Sequence, residues 1–448
     1  MRMRKFLALS LALCLVLGMM AGCDNSQSDS TGSTGTPDNQ IEAVDYVSQL
    51  KLDKNSSTAK LEATVKTFVD GDTVHFNVDS SVMPNGLLKA RFLAIDTPES
   101  TGKIEEYGKA ASNFTKEKLK NAVSIIIESD NETWNADSTG SRYMVWVWYK
   151  ATADGEYRNL NVEILQNGLA IASNTGSNIY GDTALMALAQ AKAQKLNVFS
   201  GVKDPDFYYG EAVELDLKEL RQNTEAYNGM KVAFNGIVSV NNNNGVYVEA
   251  YDSETDRYHG IYVYYGFNLS GDGLRILEVG NEVRIVGTVS YYENGGTWQV
   301  SGLTYRAMKP NDPGNIQKLS DGHSAAYVPM EPSRLTSEMV DIIVNDEISS
   351  VRYAAMAMNT SVQMSGLVVK DVYTTDNDES SSKGAMTLTC EVNGVTVTVR
   401  TVVLYDADGK LVTAEAYEGK TIDVKGVVDY FDGDYQIKVF ATKDITVH

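Results

Sequence analysis

The chain has 448 residues, too many for one ordinary domain and about right for three, and 43% of them are hydrophobic, with 36 Gly and 25 Tyr. Packed cores rich in strands and turns suit that composition. The formal charge is −20, and the excess of acid is uneven: residues 60–200 hold 14 Lys+Arg against 17 Asp+Glu, residues 201–448 hold 20 against 36. No segment is a basic block of the kind that grips nucleic acid by counterion release, so any chemistry on a polyanion must rest on a few placed cations.

The N-terminus reads as an export segment. Arg2, Arg4 and Lys5 give it a positive start, and Phe6 to Met20 is an apolar run too short for a comfortable membrane span. It ends in Met20-Ala21-Gly22-Cys23. Small residues directly before a cysteine resemble a bacterial lipoprotein signal, in which the cysteine is lipidated and becomes the new first residue. That resemblance implies removal of the segment before Cys23 and a lipid anchor there, holding the protein at the extracellular face of the cell membrane. Cys14, Cys23 and Cys390 are the only cysteines. Cys390 lies in the alternating run Met386 to Val392 and reads as a small core residue, so no intrachain disulfide is expected. Residues 24–41 are dominated by Ser, Thr, Gly, Asn, Asp, Gln and Pro and cannot bury a core. The tether is taken to run to residue 58, with a weakly amphipathic stretch, Ile41 to Leu52, inside it.

The first domain, 59–203, opens on strands expected at Ala63–Val69, Thr73–Val78 and Leu88–Ile95. A helix follows over Tyr107–Asn121, with Ala110, Ala111, Phe114 and Leu119 near one face. Then come a strand at Val123–Glu128, a polar loop, an aromatic strand at Tyr143–Tyr149, and helices at Leu160–Asn167 and Ala184–Leu196. Past an Asp/Pro/Tyr linker the chain turns to strands twice. Gly236-Ile237-Val238 is echoed by Gly366-Leu367-Val368, and Gly280, Val283, Ile285, Gly287, Val289, Tyr291 by Gly419, Ile422, Val424, Gly426, Val428, Tyr430. Alternation with glycine before a bend suits a small, strongly curved barrel. Two barrels resembling the OB-fold are expected, 212–310 and 333–448, the second opening with a helix around Leu335–Val344. The fold class is thus mainly β with α: a five-stranded barrel with three helices, then two further OB-like barrels.

Two segments of the first domain carry chemistry. Asp70-Gly71-Asp72-Thr73 places two carboxylates beside a glycine between strands, and Arg91 to Glu99 reads Arg-Phe-Leu-Ala-Ile-Asp-Thr-Pro-Glu. Alternation sends Arg91, Leu93 and Ile95 to one side of a strand, with Asp96 at its exit and Pro98 fixing the turn that holds Glu99. Asp72, Asp96 and the Thr97 carbonyl are hard oxygen ligands of the type that Ca²⁺ takes. Glu99 can orient or deprotonate a water, and Arg91 offers a planar fork for phosphate oxygens.

These segments closely resemble the staphylococcal nuclease family, whose pattern is Asp-Gly-Asp-Thr followed by Arg-x4-Asp-Thr-Pro-Glu. The resemblance runs from about Leu61 to Ser200 and includes Tyr107-Gly108, Asn161, Gly168-Leu169-Ala170 and Asn197-Val198-Phe199-Ser200. It implies Asp72, Asp96 and Thr97 as calcium ligands, Glu99 as general base and Arg91 as a phosphate-binding arginine. Arg142, at the matching distance before the aromatic strand, takes the part of a second catalytic arginine. Tyr180 is the one tyrosine in the loop after Gly-Leu-Ala able to touch substrate. The activity implied is calcium-dependent phosphodiester hydrolysis by a thermonuclease-type endonuclease, acting on DNA and/or RNA with single strands preferred, and giving 3′-phosphate ends. The alternative is an envelope-tethered lipoprotein that binds nucleic acid or protein without cutting. Tyr247, Tyr251, Tyr258, Tyr262, Tyr264, Tyr265, Tyr291, Tyr292 and Trp298 crowd the first rear barrel; they either stack bases or fill the core and cover edges.

Overall fold

The computed structural model describes residues 43–448 apart from 268, 293, 294, 345, 346, 378 and 379. The export segment, Cys23 and the tether up to residue 42 lie outside the described residues. The chain enters the fold through α1 (Tyr46–Gln49), where Val47 is fully buried. Val44 exchanges two hydrogen bonds with the Gln190 side chain, at 2.8 and 2.9 Å, and Arg158 donates to Asp45 at 3.2 Å. Residues 43–58, expected as the end of a flexible tether, are therefore docked on the first domain.

In that domain β1 (Lys60–Phe68), β2 (Thr73–Asn77) and β3 (Leu87–Phe92) form an antiparallel meander. β4 (Ile95–Asp96) follows, then α2 (Gly108–Lys120), β5 (Ser124–Glu128), β6 (Tyr143–Lys150), β7 (Arg158–Asn159), α3 (Leu160–Gln166), β8 (Ile171–Ala172) and α4 (Gly181–Ala193). β3 pairs in parallel with β6, β6 runs antiparallel to β5, and β5 returns antiparallel to β1, which closes a five-stranded barrel. Its core is filled by Phe76, Leu88, Phe92, Ile127, Val145 and Val147, all fully buried. α2 presents Ala111, Thr115 and Leu119, one face at a spacing of four, to the barrel.

One expectation fails inside this barrel. The strand read over Leu88–Ile95 stops at Phe92, because Ala94 adopts φ +65° and turns the chain. Ile95–Asp96 then pairs separately with Ile171–Ala172. The alternation that was to put Arg91, Leu93 and Ile95 on one side is broken: Leu93 and Ile95 are buried, Arg91 is only half-buried. Asp96 still follows the turn directly.

The second sheet comprises β9 (Val213–Glu214), α5 (Leu217–Gln222) beside it, β10 (Lys231–Asn241), β11 (Gly245–Asp252), β12 (Arg257–Tyr264), then, after α6 (Asp272–Ile276), β13 (Glu282–Tyr292), β14 (Thr297–Ser301) and β15 (Gln317–Ser320). The third comprises β16 (Val328–Pro329), β19 (Ser361–Thr374), β20 (Met386–Val392), β21 (Val395–Thr401), β22 (Thr421–Phe431), β23 (Asp434–Val439) and β24 (Ile445–Val447); between β16 and β19 the chain forms α7 (Pro332–Thr336), a separate two-stranded hairpin of β17 (Met339–Val344) and β18 (Glu347–Arg352), and α8 (Tyr353–Met356). Each closes as the first does: strands one to three antiparallel, three parallel to five, four returning to one. All three are OB-like barrels. The repeated Gly287 and Gly426 have a shared cause: a Cβ there would meet the carbonyl oxygens of Ser301 and Lys438 at 2.7 and 2.4 Å, where the last strand crosses.

The helix expected around Leu335–Val344 is shorter and earlier. Only Pro332–Thr336 is helical, and Met339–Val344 is a strand whose Val340 and Ile342 are buried between exposed Met339, Asp341 and Ile343. Cys390 is a fully buried core residue with its thiol free.

Candidate active site

The turn between β1 and β2 places the first two acids. Asp70 accepts from the Gly71 amide at 2.7 Å and from the Ser100 hydroxyl at 2.6 Å, which ties the turn to the segment after Glu99. Asp72 is 1% exposed. One of its oxygens accepts from Thr73 Oγ1 at 3.0 Å and the other from the Thr97 amide at 2.9 Å. Arg91, directly opposite Thr73 across β2 and β3, donates one Nη to Asp72 and the other to Asp96. A single guanidinium thus joins the hairpin acid to the acid beyond the Ala94 turn. The sequence-predicted trio of Asp72, Arg91 and Asp96 is together.

Close packing explains two glycines here. A Cβ on Gly71 would press on Thr97 Oγ1 at 2.8 Å, and one on Gly108 would lie 2.1 Å from the Glu99 carbonyl oxygen. The start of α2 therefore sits directly against the backbone of Glu99. The loop is pinned on its far side too. Glu105 bonds Glu99 through both its amide (2.9 Å) and its carboxylate (3.2 Å). The Tyr107 amide donates to buried Asp204 at 2.6 Å, the Tyr209 hydroxyl to Glu106 at 2.5 Å, and Ser301 Oγ of β14 to the Gly102 carbonyl at 2.9 Å. Asp70, Glu105, Asp204 and Ser301 were not singled out as site residues from sequence. Asp70 could have been, since it shares the Asp-Gly-Asp motif; the others carry no local signal, because their partners are distant in the chain.

Burial raises the Asp72 carboxyl above its ordinary range, against the pull of Arg91 and the Thr97 and Thr73 hydrogen bonds. Glu99 is pushed up to about 8, by burial first, then by a hydrogen bond with Asp70 and the charges of Asp70 and Asp72, with Arg91 opposing. A carboxyl of raised proton affinity beside a guanidinium is an arrangement that enzymes use for proton transfer.

Arg142 is separate from this cluster. Its Nε and Nη2 both bond Asp137 Oδ2, at 2.7 Å each, within the loop before β6. Tyr180, expected to touch substrate, is committed elsewhere. Its ring stands edge-on to Trp146 and Trp148 at 5.1 and 5.4 Å, and its hydroxyl bonds buried Glu128 at 3.1 Å. Lys60, Thr58 and Trp148 share that carboxylate, so Tyr180 belongs to a packed polar cluster; the isolated tyrosine of the loop is drawn into the nearest core.

Asp72 Oδ1 and Asp96 Oδ1 converge on one cationic group, and both are hard oxygen donors, as is the Thr97 carbonyl; the donor set fits Ca²⁺. Among the described residues no set of three or more His, Cys, Asp or Glu side chains is arranged for a metal. Two carboxylates and a carbonyl would leave the rest of a six-to-eight-oxygen shell to water and substrate. Thr97 Oγ1 is buried without a hydrogen-bond partner, facing Gly71.

Residues 89–200 match the family model described as staphylococcal nuclease homologue. The match takes in Arg91, Asp96–Glu99 and Arg142 and opens after the Asp-Gly-Asp turn. The chain is also 32% identical over 151 residues to a thermonuclease of Staphylococcus intermedius, an alignment covering 33% of this chain and 81% of that protein. The chain belongs to the staphylococcal nuclease family. Its nuclease domain is the first barrel, and the acids and Arg91 of this nuclease gather at the ends of β2, β3 and β4.

Proposed function

We propose that the protein is an exported, lipid-anchored, calcium-dependent nuclease that hydrolyses phosphodiester bonds of DNA and/or RNA, prefers single strands and leaves 3′-phosphate ends. The observation that carries this reading is the meeting of Asp72 and Asp96 on Arg91 with Glu99 beside Asp70 and Asp72. Asp72, Asp96 and the Thr97 carbonyl would hold Ca²⁺, which when bound neutralises phosphate charge and makes a neighbouring water more acidic.

The chain's own residues supply the rest. Glu99, once deprotonated, takes the proton of the attacking water; burial and the neighbouring acids push its proton affinity up to about 8 without a cation, and a cation held by Asp72 and Asp96 would lower it again, so the charged form is the one that acts. Arg91 exchanges its bonds to Asp72 and Asp96 for phosphate oxygens and offers them a planar pair of donors. Arg142 moves from Asp137 to the charge that grows on the equatorial oxygens and the departing 5′ oxygen. Ser100, Glu105 and Gly108 hold the Glu99 backbone, so the base does not wander while the guanidinium groups rearrange. Tyr180, once expected at substrate, has no part in this scheme. The anchor rests on the Ala21-Gly22-Cys23 pattern.

Denatured DNA incubated with the purified protein tests the chemistry. Cleavage with calcium, its loss with a chelator and phosphatase-sensitive 3′ ends are expected; undiminished cleavage in chelator would remove the metal. Mass analysis of the N-terminal peptide from membranes tests the anchor, which fails if residues before Cys23 are retained or Cys23 is unmodified.

A further inference from the structure

All three barrels carry a bulge at one place in their first strand. In β1 the register steps from Val65 opposite Phe76 to Thr67 opposite His75, leaving Lys66 as the extra residue. Ser239 in β10 and Lys370 in β19 hold the same position. A bulge re-aims the side chain it carries. Here it sets exposed Lys66 next to Thr67 and over the strand position of His75. His75 lies directly opposite Lys89 on β3, and Thr73 opposite Arg91. Lys89 and Arg91 alternate with buried Leu88, Ala90 and Phe92, so both stand on the outer face. β6 runs alongside with Tyr143 opposite Ala90, which brings Arg142 level with Lys89.

The electrostatics agree with this geometry. Burial, and then the charges of Lys89, Lys66 and Arg142, hold the His75 imidazole below its usual range. Those three cations therefore converge on one side chain. Lys370, at the matching bulge of the third barrel, is instead paired with Glu391 at 3.4 Å. On a protein of net charge −20, the outer face of β1–β2–β3 around His75 is a local reversal of sign, set between exposed Glu62 on β1 and the acids that Arg91 bridges. Lys89 is two residues from Arg91 along an extended strand, about 7 Å, which is the rise of roughly two nucleotides stacked as in a duplex strand and about one phosphate step of an extended single strand.

We propose that Lys66, His75 and Lys89 form a phosphate-binding track that holds a single-stranded nucleic acid one or two nucleotides from the bond cleaved at Arg91. This rests on the nuclease reading of the Arg91–Glu99 site. It explains how so acidic a protein keeps hold of a polyanion: the contact is confined to one barrel face, and each lysine that meets a phosphate releases a counterion.

The test uses the full chain and the double substitution Lys66→Gln/Lys89→Gln, neither residue touching the catalytic cluster, with Lys370→Gln as control. A dinucleotide-length fluorogenic phosphodiester and a 20-nucleotide oligothymidylate serve as substrates. On the short substrate the double variant should match the parent. On the long one its KM should rise about tenfold at low salt with kcat within twofold, and the slope of log KM against log salt should fall by about 1.4, two contacts at about 0.7 each for single strands. Lys370→Gln should do neither. Anisotropy of the labelled oligonucleotide in chelator reads binding without cleavage, and the double variant should bind about tenfold more weakly. Unchanged KM, salt slope and affinity on the long strand, or no oligonucleotide binding by the parent, overturns the track. Failure of the parent to cleave either substrate while binding the long one overturns the nuclease reading and leaves the track standing. Lys89→Glu, with its melting temperature measured, repeats the test should the double variant misfold; it should weaken oligonucleotide binding further.

Discussion

The nuclease barrel and the barrel behind it are built to one plan and use one face in opposite ways. After the bulge, the paired positions on strands two and three are His75 and Lys89 in the first barrel and Tyr247 and Tyr262 in the second. The first pair is polar and half-open. The second is an aromatic pair with ring centres 4.9 Å apart, and Phe440 of the third barrel lies 5.4 Å from Tyr247, which is only 4% exposed. Beside it, buried Glu249 accepts from the Ser361 amide and hydroxyl at 2.6 and 2.7 Å and from the Ala326 amide at 2.9 Å. The third barrel therefore covers the face that stays open on the first. Strand order fixes where such a face lies; what covers it decides whether it binds substrate or another part of the chain.

The largest effect expected concerns that covered face. Tyr247→Ala should cost about 3–5 kcal/mol, as loss of a buried aromatic does, while His75→Ala at the matching site of the first barrel should cost less than about 1 kcal/mol. Thermal or denaturant unfolding measures both, and equal losses would erase the contrast. Next, Glu99→Gln should lower turnover on denatured DNA about 100-fold or more without weakening oligonucleotide binding; turnover like the parent's would strip Glu99 of its role. A smaller effect probes a link between β14 and the catalytic loop. Ser301→Ala removes the bond to the Gly102 carbonyl, and a hydrogen bond worth about 1 kcal/mol should appear as roughly a fivefold fall in kcat at unchanged melting temperature. No change in kcat would make that contact merely adhesive.

A further effect is in stability against pH, read in chelator. Glu99 has a folded proton affinity near 8, above its ordinary 4.5, so the folded state holds that proton more tightly than the unfolded one. Its contribution is fully present below about 4.5 and is lost as pH rises through 8. Glu99→Gln should therefore match the parent's melting temperature at pH 4 and exceed it progressively up to pH 9. A difference that is flat across that span would contradict the raised affinity.

Much of this was legible in the sequence because the signals are local. The barrel strands announce themselves by alternation, the repeated Gly287 and Gly426 mark a strand crossing, and Asp72, Arg91, Asp96 and Glu99 stand at spacings that one hairpin and one turn can close. What was missed depends on partners that spacing does not reveal. The turn at Ala94 requires a left-handed alanine, for which no residue type gives warning. Met339–Val344 has the period of a strand, with Val340 and Ile342 inward, yet its apolar content also suits a helix. Val44 and Val47 are docked by Gln190 and Gln166, which lie more than 100 residues away in the chain. Tyr247 of the second barrel points outward as a base-stacking ring would, and only the third barrel, folded over it, makes it interior, while Tyr251, Tyr291 and Tyr292 stay exposed. Tyr180 is claimed in the same way by Trp146, Trp148 and Glu128.

The bridge that Arg91 makes between Asp72 and Asp96 has a consequence for handling and regulation. With Glu99 holding its proton at neutral pH in the absence of a cation, Arg91 offsets one of the charges of Asp72 and Asp96 and joins the two acids without an ion. Folding and loading are thereby decoupled, unlike domains that collapse only around their metal. Stripping the cation should silence the enzyme and leave its architecture intact, so activity can be switched off and restored in the same sample.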